Sequence, residues 1–250
     1  KGITAQAVRV IRRSIDARQR TIFVNLTVRA YVHEEPPLMD FEPFVYRDVS
    51  ECRPVIVVGA GPAGLFCAYR LALNGYAPIL LERGGPVEER VGAVEQFWKD
   101  GTLLPDTNVQ FGEGGAGTFS DGKLNTMVKD TPGRIRSVLE TFVKFGAPEE
   151  ILYVNKPHIG TDCLRNVITN MRKELIRLGC EVRFHAKMTD IVFEKGQVKG
   201  VTVGEEFLPC DVLVLAIGHS ARDTFAMLHR RAVPMEAKPF AVGVRIEHRQ

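Results

Sequence analysis

The sequence predicts an α/β fold: a parallel sheet with helices, an inserted antiparallel β-meander, and a small α+β segment ahead of them. Three observations predict it. The β-branched run Val55-Ile56-Val57-Val58 passes through a glycine-rich turn into a helical pattern and then a second apolar run at 78–81. A strand–helix–strand unit of about 30 residues crosses over to a parallel neighbour. Far downstream, 211–217 is another continuous apolar run, as a strand buried on both faces of a parallel sheet requires. Between 181 and 203, short β-rich runs are separated by turns at Lys195-Gly196 and Gly204, the punctuation of a meander.

Composition narrows the class. At 250 residues the chain can bury one large core or two ordinary ones. A hydrophobic share of 45% with 25% charged residues excludes disorder, collagen and coiled coil as overall descriptions. The net charge of +3 is too small by itself to indicate nucleic acid as a partner. No apolar run approaches the ~20 residues of a membrane span. Five cysteines are scattered without a Cys-x-x-Cys pair, which argues against a disulfide framework, a zinc site and a dithiol redox pair. Reduced thiols point to the cytoplasm, or to an organelle if a targeting segment precedes Lys1. Both ends read as cuts through a longer protein.

In chain order, residues 1–47 are expected to form the small α+β unit and 48–250 the main domain. Val8, Ile11 and Ile15 recur at helical spacing, predicting a helix over 5–19 with Arg9, Arg12 and Arg13 on its other faces. Residues 21–32 have strand composition. Pro36-Pro37 opens an irregular crossing. After the strand at 55–58, a helix is expected over 65–74, stopped by Gly75, then the strand at 78–81. Residues 106–130 are glycine-rich and aperiodic. Helices are expected at 134–145 and 161–178, strands at 181–184, 189–193, 198–203 and 211–217, and a last strand at 240–246.

The chemistry concentrates in the first turn. Gly59 allows a tight turn out of the strand, Gly61 lets backbone approach a pyrophosphate, and Gly64 lets the helix pack close to the sheet. Pro62 and Ala63 open the helix, whose first N–H groups and positive dipole end face the phosphates. Glu82 ends the second strand, where a carboxylate accepts from ribose hydroxyls and repels a 2′-phosphate. This context predicts a Rossmann-like dinucleotide site. Gly117–Lys123 has P-loop spacing, but Leu124 stands where the magnesium-binding hydroxyl belongs, which excludes a nucleotide triphosphatase. Five glycines between Phe111 and Lys123 suit a backbone lying against a large flat or anionic ligand.

The run from Val55 to Gly84, the stretch FGEGGAGTFSDGKL and the stretch AIGHSARD together resemble the uncharacterised FAD-dependent dehydrogenases, NAD(P)/FAD-dependent flavoproteins of the glutathione reductase-like and fumarate reductase-like superfamily. The resemblance implies a Rossmann-like FAD-binding domain. It would place Gly59, Gly61 and Gly64 on the pyrophosphate and Glu82 on the adenosine ribose. It would put Arg83 and Arg90 near the adenosine or phosphates, and Gly114, Gly115 and Thr118 beside the pyrophosphate and isoalloxazine. Lys187 would lie near adenine through its backbone, with Ala216 and Gly218 over the cofactor. The family's second, Asp-led glycine segment has no match after Asp223.

Flavin would carry the redox chemistry and the protein would position it. Lys123, Ser120, Asp121, His219 and Arg222 are candidates to stabilise reduced flavin or exchange protons, with Lys123 and His219 foremost. The expected function is therefore an FAD-dependent oxidoreductase acting on a small-molecule substrate, with NAD(P)H as electron donor. The alternatives are a flavin-containing RNA-binding or RNA-modifying protein, suggested by the basic N-terminal segment, and a non-catalytic dinucleotide-binding module.

Overall fold

The computed structural model describes residues 4–18, 20–36, 54–119, 122–124, 126, 130, 133–239, 243, 244 and 246. At its centre, strands β3 (Val55–Val58), β4 (Ile79–Leu81), β5 (Glu181–Arg183) and β9 (Val212–Leu215) form a parallel sheet in the order β5-β4-β3-β9. Strands β6 (Met188–Glu194), β7 (Gln197–Val203) and β8 (Glu206–Pro209) form the antiparallel meander.

Because successive side chains of a strand point to opposite faces, the central strands feed two cores. Val57 and Leu80 pack with α1 (Pro62–Leu73), α3 (Arg134–Lys144) and α4 (Thr161–Arg177) through Leu65, Ala68, Phe142, Met171 and Leu175. Ile56, Val58 and Leu81 pack on the other face with the meander and α5 (Arg222–Arg230), through Ile191, Val201, Leu208 and Met227. Helices therefore cover one face and the meander the other. The apolar run of β3 reflects this double burial, since all four of its residues are buried.

Three departures from the sequence reading stand out. First, the helix expected over 5–19 is a strand, β1 (Ala7–Asp16), paired antiparallel with β2 (Phe23–Tyr31). The register shifts between Val10 and Arg12, so the bulge converts an alternating apolar pattern into the three-then-four spacing of Val8, Ile11 and Ile15. Val10 opposes Val28 and Ile15 opposes Val24, the β-branched cross-strand pairs that sheets favour. The basic residues also separate: Arg9 and Arg12 share a face with Arg29, while Arg13 opposes Leu26 on the other. Arg13 ties the pair to the body of the protein, donating to the Tyr153 carbonyl at 2.9 Å and accepting from Asn155 N–H at 3.0 Å.

Second, the sequence reading omits α2 (Val87–Asp100), β8 and α5. The buried stripe of α2 is Val87, Arg90 and Val94, and an arginine at its centre hides the apolar period. Third, 181–184 is not part of the meander but the edge strand β5 of the parallel sheet. The boundary expected near residue 47 and Pro37 lie outside the described residues. So does most of the strand expected at 240–246, where Gly243, Val244 and Ile246 have no regular structure. Among the described residues, no helix is long and apolar enough to cross a membrane.

Candidate functional site

A cavity of about 470 Å³ opens at the carboxyl ends of β3, β4 and β9. This is where open α/β sheets bind ligands, and the volume falls in the range of small-molecule and cofactor sites. Its floor is the β3–α1 turn, through Gly59, Gly61, Pro62 and Ala63. Two features of this turn fix its shape. Gly59 has φ +102°, and a Cβ there would lie 2.4 Å from the Ala216 carbonyl oxygen. A Cβ on Gly64 would lie 1.8 Å from the Gly59 carbonyl oxygen, so α1 rests directly on the turn. Gly61 differs. Its Cβ would meet only Gly115 Cα, at 3.9 Å, so a side chain there would project into open space. No side chain caps the N-terminus of α1, whose positive end faces that space.

The glycine-rich loop lines the cavity beside this turn through Gln110, Phe111, Gly112, Gly115 and Ala116. Backbone contacts hold it to the turn: Gly114 N–H donates to the Ala60 carbonyl at 2.8 Å. Glu82 binds three pieces together. Its Oε2 accepts from Ala60 N–H at 2.7 Å, and its Oε1 from Gly84 N–H at 2.9 Å and Gly112 N–H at 3.0 Å. The side chain is buried yet lines the cavity. Expected to accept from ribose hydroxyls, Glu82 is already taken by three backbone amides. A carboxylate offers about four acceptor sites, which leaves about one for a ligand.

Arg90, expected near adenosine or phosphate, does not line the cavity. It is fully buried beneath the loop. Its Nε and Nη2 donate to the Asn108 carbonyl, Nη2 also to Val109, and Nη1 to the carbonyls of Glu113 and Gly115. Its guanidinium carbon also lies over Phe119, 4.7 Å from the ring centre. Burial lowers its pKa to about 10, against the pull of Glu82 and Glu113. Arg90 shapes the loop from within. Nothing in the sequence distinguishes an arginine that binds carbonyls from one that binds phosphate.

Glu113 lies in the same layer and is also buried. Its Oε2 accepts from Val87 N–H at 2.9 Å, at the start of α2, and its Oε1 lies 3.3 Å from Arg172 Nε. Burial pushes its carboxyl up to about 7, despite the opposing Val87 bond and Arg172 charge. The sequence reading gave Glu113 no role.

The remaining expected residues divide. Arg83, Lys187, Ala216, Gly218 and His219 line the cavity. Gly64, Gly114, Thr118 and Lys123 do not. Thr118 Oγ1 donates to the Glu113 carbonyl at 3.4 Å, and Lys123 bridges to His158 in the β-sense. Arg222 is the first residue of α5, and its amide donates to the Ser220 carbonyl at 2.8 Å. Ser120 and Asp121 lie outside the described residues. The sequence reading did not single out Phe111, Met188, Thr224, Phe225 or Leu228, which supply much of the apolar lining. Three of these come from α5.

A family-model match agrees with this fold. Residues 57–87 match a family model described as an NAD(P)-binding Rossmann-like domain, and residues 3–31 match one described as a domain of unknown function. The chain is 46% identical over 256 residues to an uncharacterized protein of Clostridium beijerinckii, covering 96% of this chain. The chain spans about half (48%) of that relative's length. Among solved structures it is similar to THI4 of Thermovibrio ammonificans, with TM-score 0.46 and 20% identity, covering 73% of this chain and 64% of that one. Glycine oxidase from Bacillus cereus aligns with TM-score 0.45 and 14% identity, covering 71% and 59%. The GidA-related protein from Thermus thermophilus aligns with TM-score 0.36 and 18% identity, covering 66% and 53%. At these scores the structural likenesses speak to no chemistry. The chain carries a Rossmann-like α/β domain on its parallel sheet.

Proposed function

We propose that this chain is the dinucleotide-binding part of an FAD-dependent oxidoreductase. One observation carries the reading: a cavity at the carboxyl ends of the parallel strands is floored by a turn where Gly61 leaves open the space a side chain would fill. The uncapped end of α1 faces that space, which suits a pyrophosphate. The Rossmann-like match over 57–87 and the resemblance of the stretches FGEGGAGTFSDGKL and AIGHSARD to FAD-dependent dehydrogenases support flavin as the occupant.

Gly59, Gly61, Pro62 and Ala63 would hold the pyrophosphate. Glu82 would offer its remaining acceptor site to the adenosine ribose, and Gly115 and Ala116 would run beside the turn. Ala216, Gly218 and His219 would complete the lining, with His219 placed to exchange a proton with a ligand. Bound flavin would supply hydride or electron transfer between NAD(P)H and a small-molecule acceptor. The chain's own residues bind, orient and exclude water.

The test is the visible spectrum of the full-length protein. The expected result is a flavin absorbance that bleaches on adding NADH or NADPH. Gly61→Val should lose the flavin while keeping about the unfolding midpoint of the flavin-free wild type, because its Cβ enters the cavity and not the core. A folded Gly61→Val variant that retains full flavin would overturn the assignment of the cavity.

A further inference from the structure

The last residue of the AIGHSARD stretch, Asp223, does not touch the turn or the loop. It lies in the first turn of α5, next in sequence to the cavity-lining Thr224. Its Oδ1 accepts from Arg83 Nη1 at 2.9 Å, and its Oδ2 from Arg83 Nη2 at 2.6 Å and lies 2.7 Å from Lys187 Nζ. Asp106 takes the remaining edge of the same guanidinium, accepting from Arg83 Nε at 2.9 Å, and lies 3.5 Å from Lys187 Nζ. Arg83 Cζ lies over the Phe111 ring, 4.3 Å from its centre. Bonds from Arg83 hold the Asp223 carboxyl far below the usual carboxylate range, so it stays charged.

Arg83 follows Glu82 at the tip of β4, and both Arg83 and Lys187 line the cavity. In dinucleotide sites an arginine at this place accommodates a ribose 2′-phosphate, while a free 2′-hydroxyl goes to the acidic residue. Without partners of their own, two cations beside the ribose position would invite that phosphate. In the structure every edge of the guanidinium is engaged and both cations are matched by carboxylates, with Glu82 adding a further negative charge.

We propose that Asp223 and Asp106 are specificity-determining residues that neutralise Arg83 and Lys187, so that the cavity takes dinucleotides with a free 2′-hydroxyl and refuses 2′-phosphorylated ones. The inference rests on the dinucleotide reading above and adds a charge selection to it. Asp223 acts through Arg83 and Lys187 and is a positioning residue. Its role would keep NADPH out of the flavin site even where NADPH serves as electron donor.

The experiment uses the full-length protein freed of bound nucleotide, titrated calorimetrically with ADP-ribose and with 2′-phospho-ADP-ribose. The expected result is a preference of about tenfold or more for ADP-ribose, weakening as salt rises. Asp223→Asn should reduce that ratio by about tenfold, mainly by tightening the phosphorylated ligand. Asp106→Asn should act in the same direction, and Asp223→Glu should restore the preference. A variant that only damaged the fold would weaken both ligands together. If the wild type binds both equally, or Asp223→Asn binds ADP-ribose with an unchanged ratio, this inference fails and the dinucleotide reading survives. If the wild type binds neither and retains no flavin, the dinucleotide reading fails and this inference with it.

Discussion

Replacing Arg90 with methionine removes the clamp beneath the glycine-rich loop while keeping most of the buried volume. In the wild type its guanidinium serves four backbone carbonyls, those of Asn108, Val109, Glu113 and Gly115. Each buried acceptor left without a donor costs about 1–3 kcal/mol. Two of these bonds are only partly buried, so water replaces part of the loss. The variant also removes the positive charge near the carboxylates of Glu82 and Glu113. Removing one member of a buried charged set typically costs about 3–5 kcal/mol, and we expect that loss here. For a protein of this size it corresponds to a fall in Tm of about 10 °C. Urea unfolding measures the free energy, and hydrogen exchange of amides 108–115 locates it. Arg90→Lys should recover only part of the loss, because an ammonium lacks the planar fork that reaches four carbonyls. A destabilisation of Arg90→Met below about 1 kcal/mol, or a larger one with loop exchange unchanged, would refute the clamp.

Two further outcomes follow from geometry and charge. Gly64→Ala should destabilise by about 2–3 kcal/mol in urea unfolding, because its Cβ falls 1.8 Å from backbone oxygen and α1 must lift from the turn. Glu113 sets a pH dependence. The folded protein holds its proton up to about pH 7, whereas the unfolded chain releases it near the ordinary value of 4.5. Between those values the unfolded state binds fewer protons, so this contribution to stability is full below about pH 4.5 and is lost as pH rises through 7. The total is on the order of 3 kcal/mol. Urea midpoints at pH 5 and pH 8 should show it, and Glu113→Gln should flatten that slope; an unchanged slope would remove Glu113 as its source.

The local pattern of the sequence determined the strand–turn–helix–strand unit. The apolar run of β3, the three glycines and the carboxylate at the tip of β4 each act within about 30 residues, where periodicity and backbone sterics dominate. α3, α4 and the β6–β7 hairpin were legible for the same reason. The β1–β2 pair was not, because a bulge at Ile11 turns alternation into helical spacing and only the cross-strand partner reveals it. Neither were α2 and α5, whose packing stripes carry an arginine or threonine among few apolar residues.

For the candidate site, the sequence alone pointed to the β3–α1 turn that floors the cavity, while the tertiary structure decided what the charged residues do there. Glu82, Arg83 and Arg90 look alike as polar residues near a glycine-rich turn. Folding brings Glu82 onto three amides, Arg90 onto four carbonyls and Arg83 onto two carboxylates, with partners up to 140 residues away. A side chain's charge is written in the sequence, but its partner depends on distances that exist only once remote segments have packed.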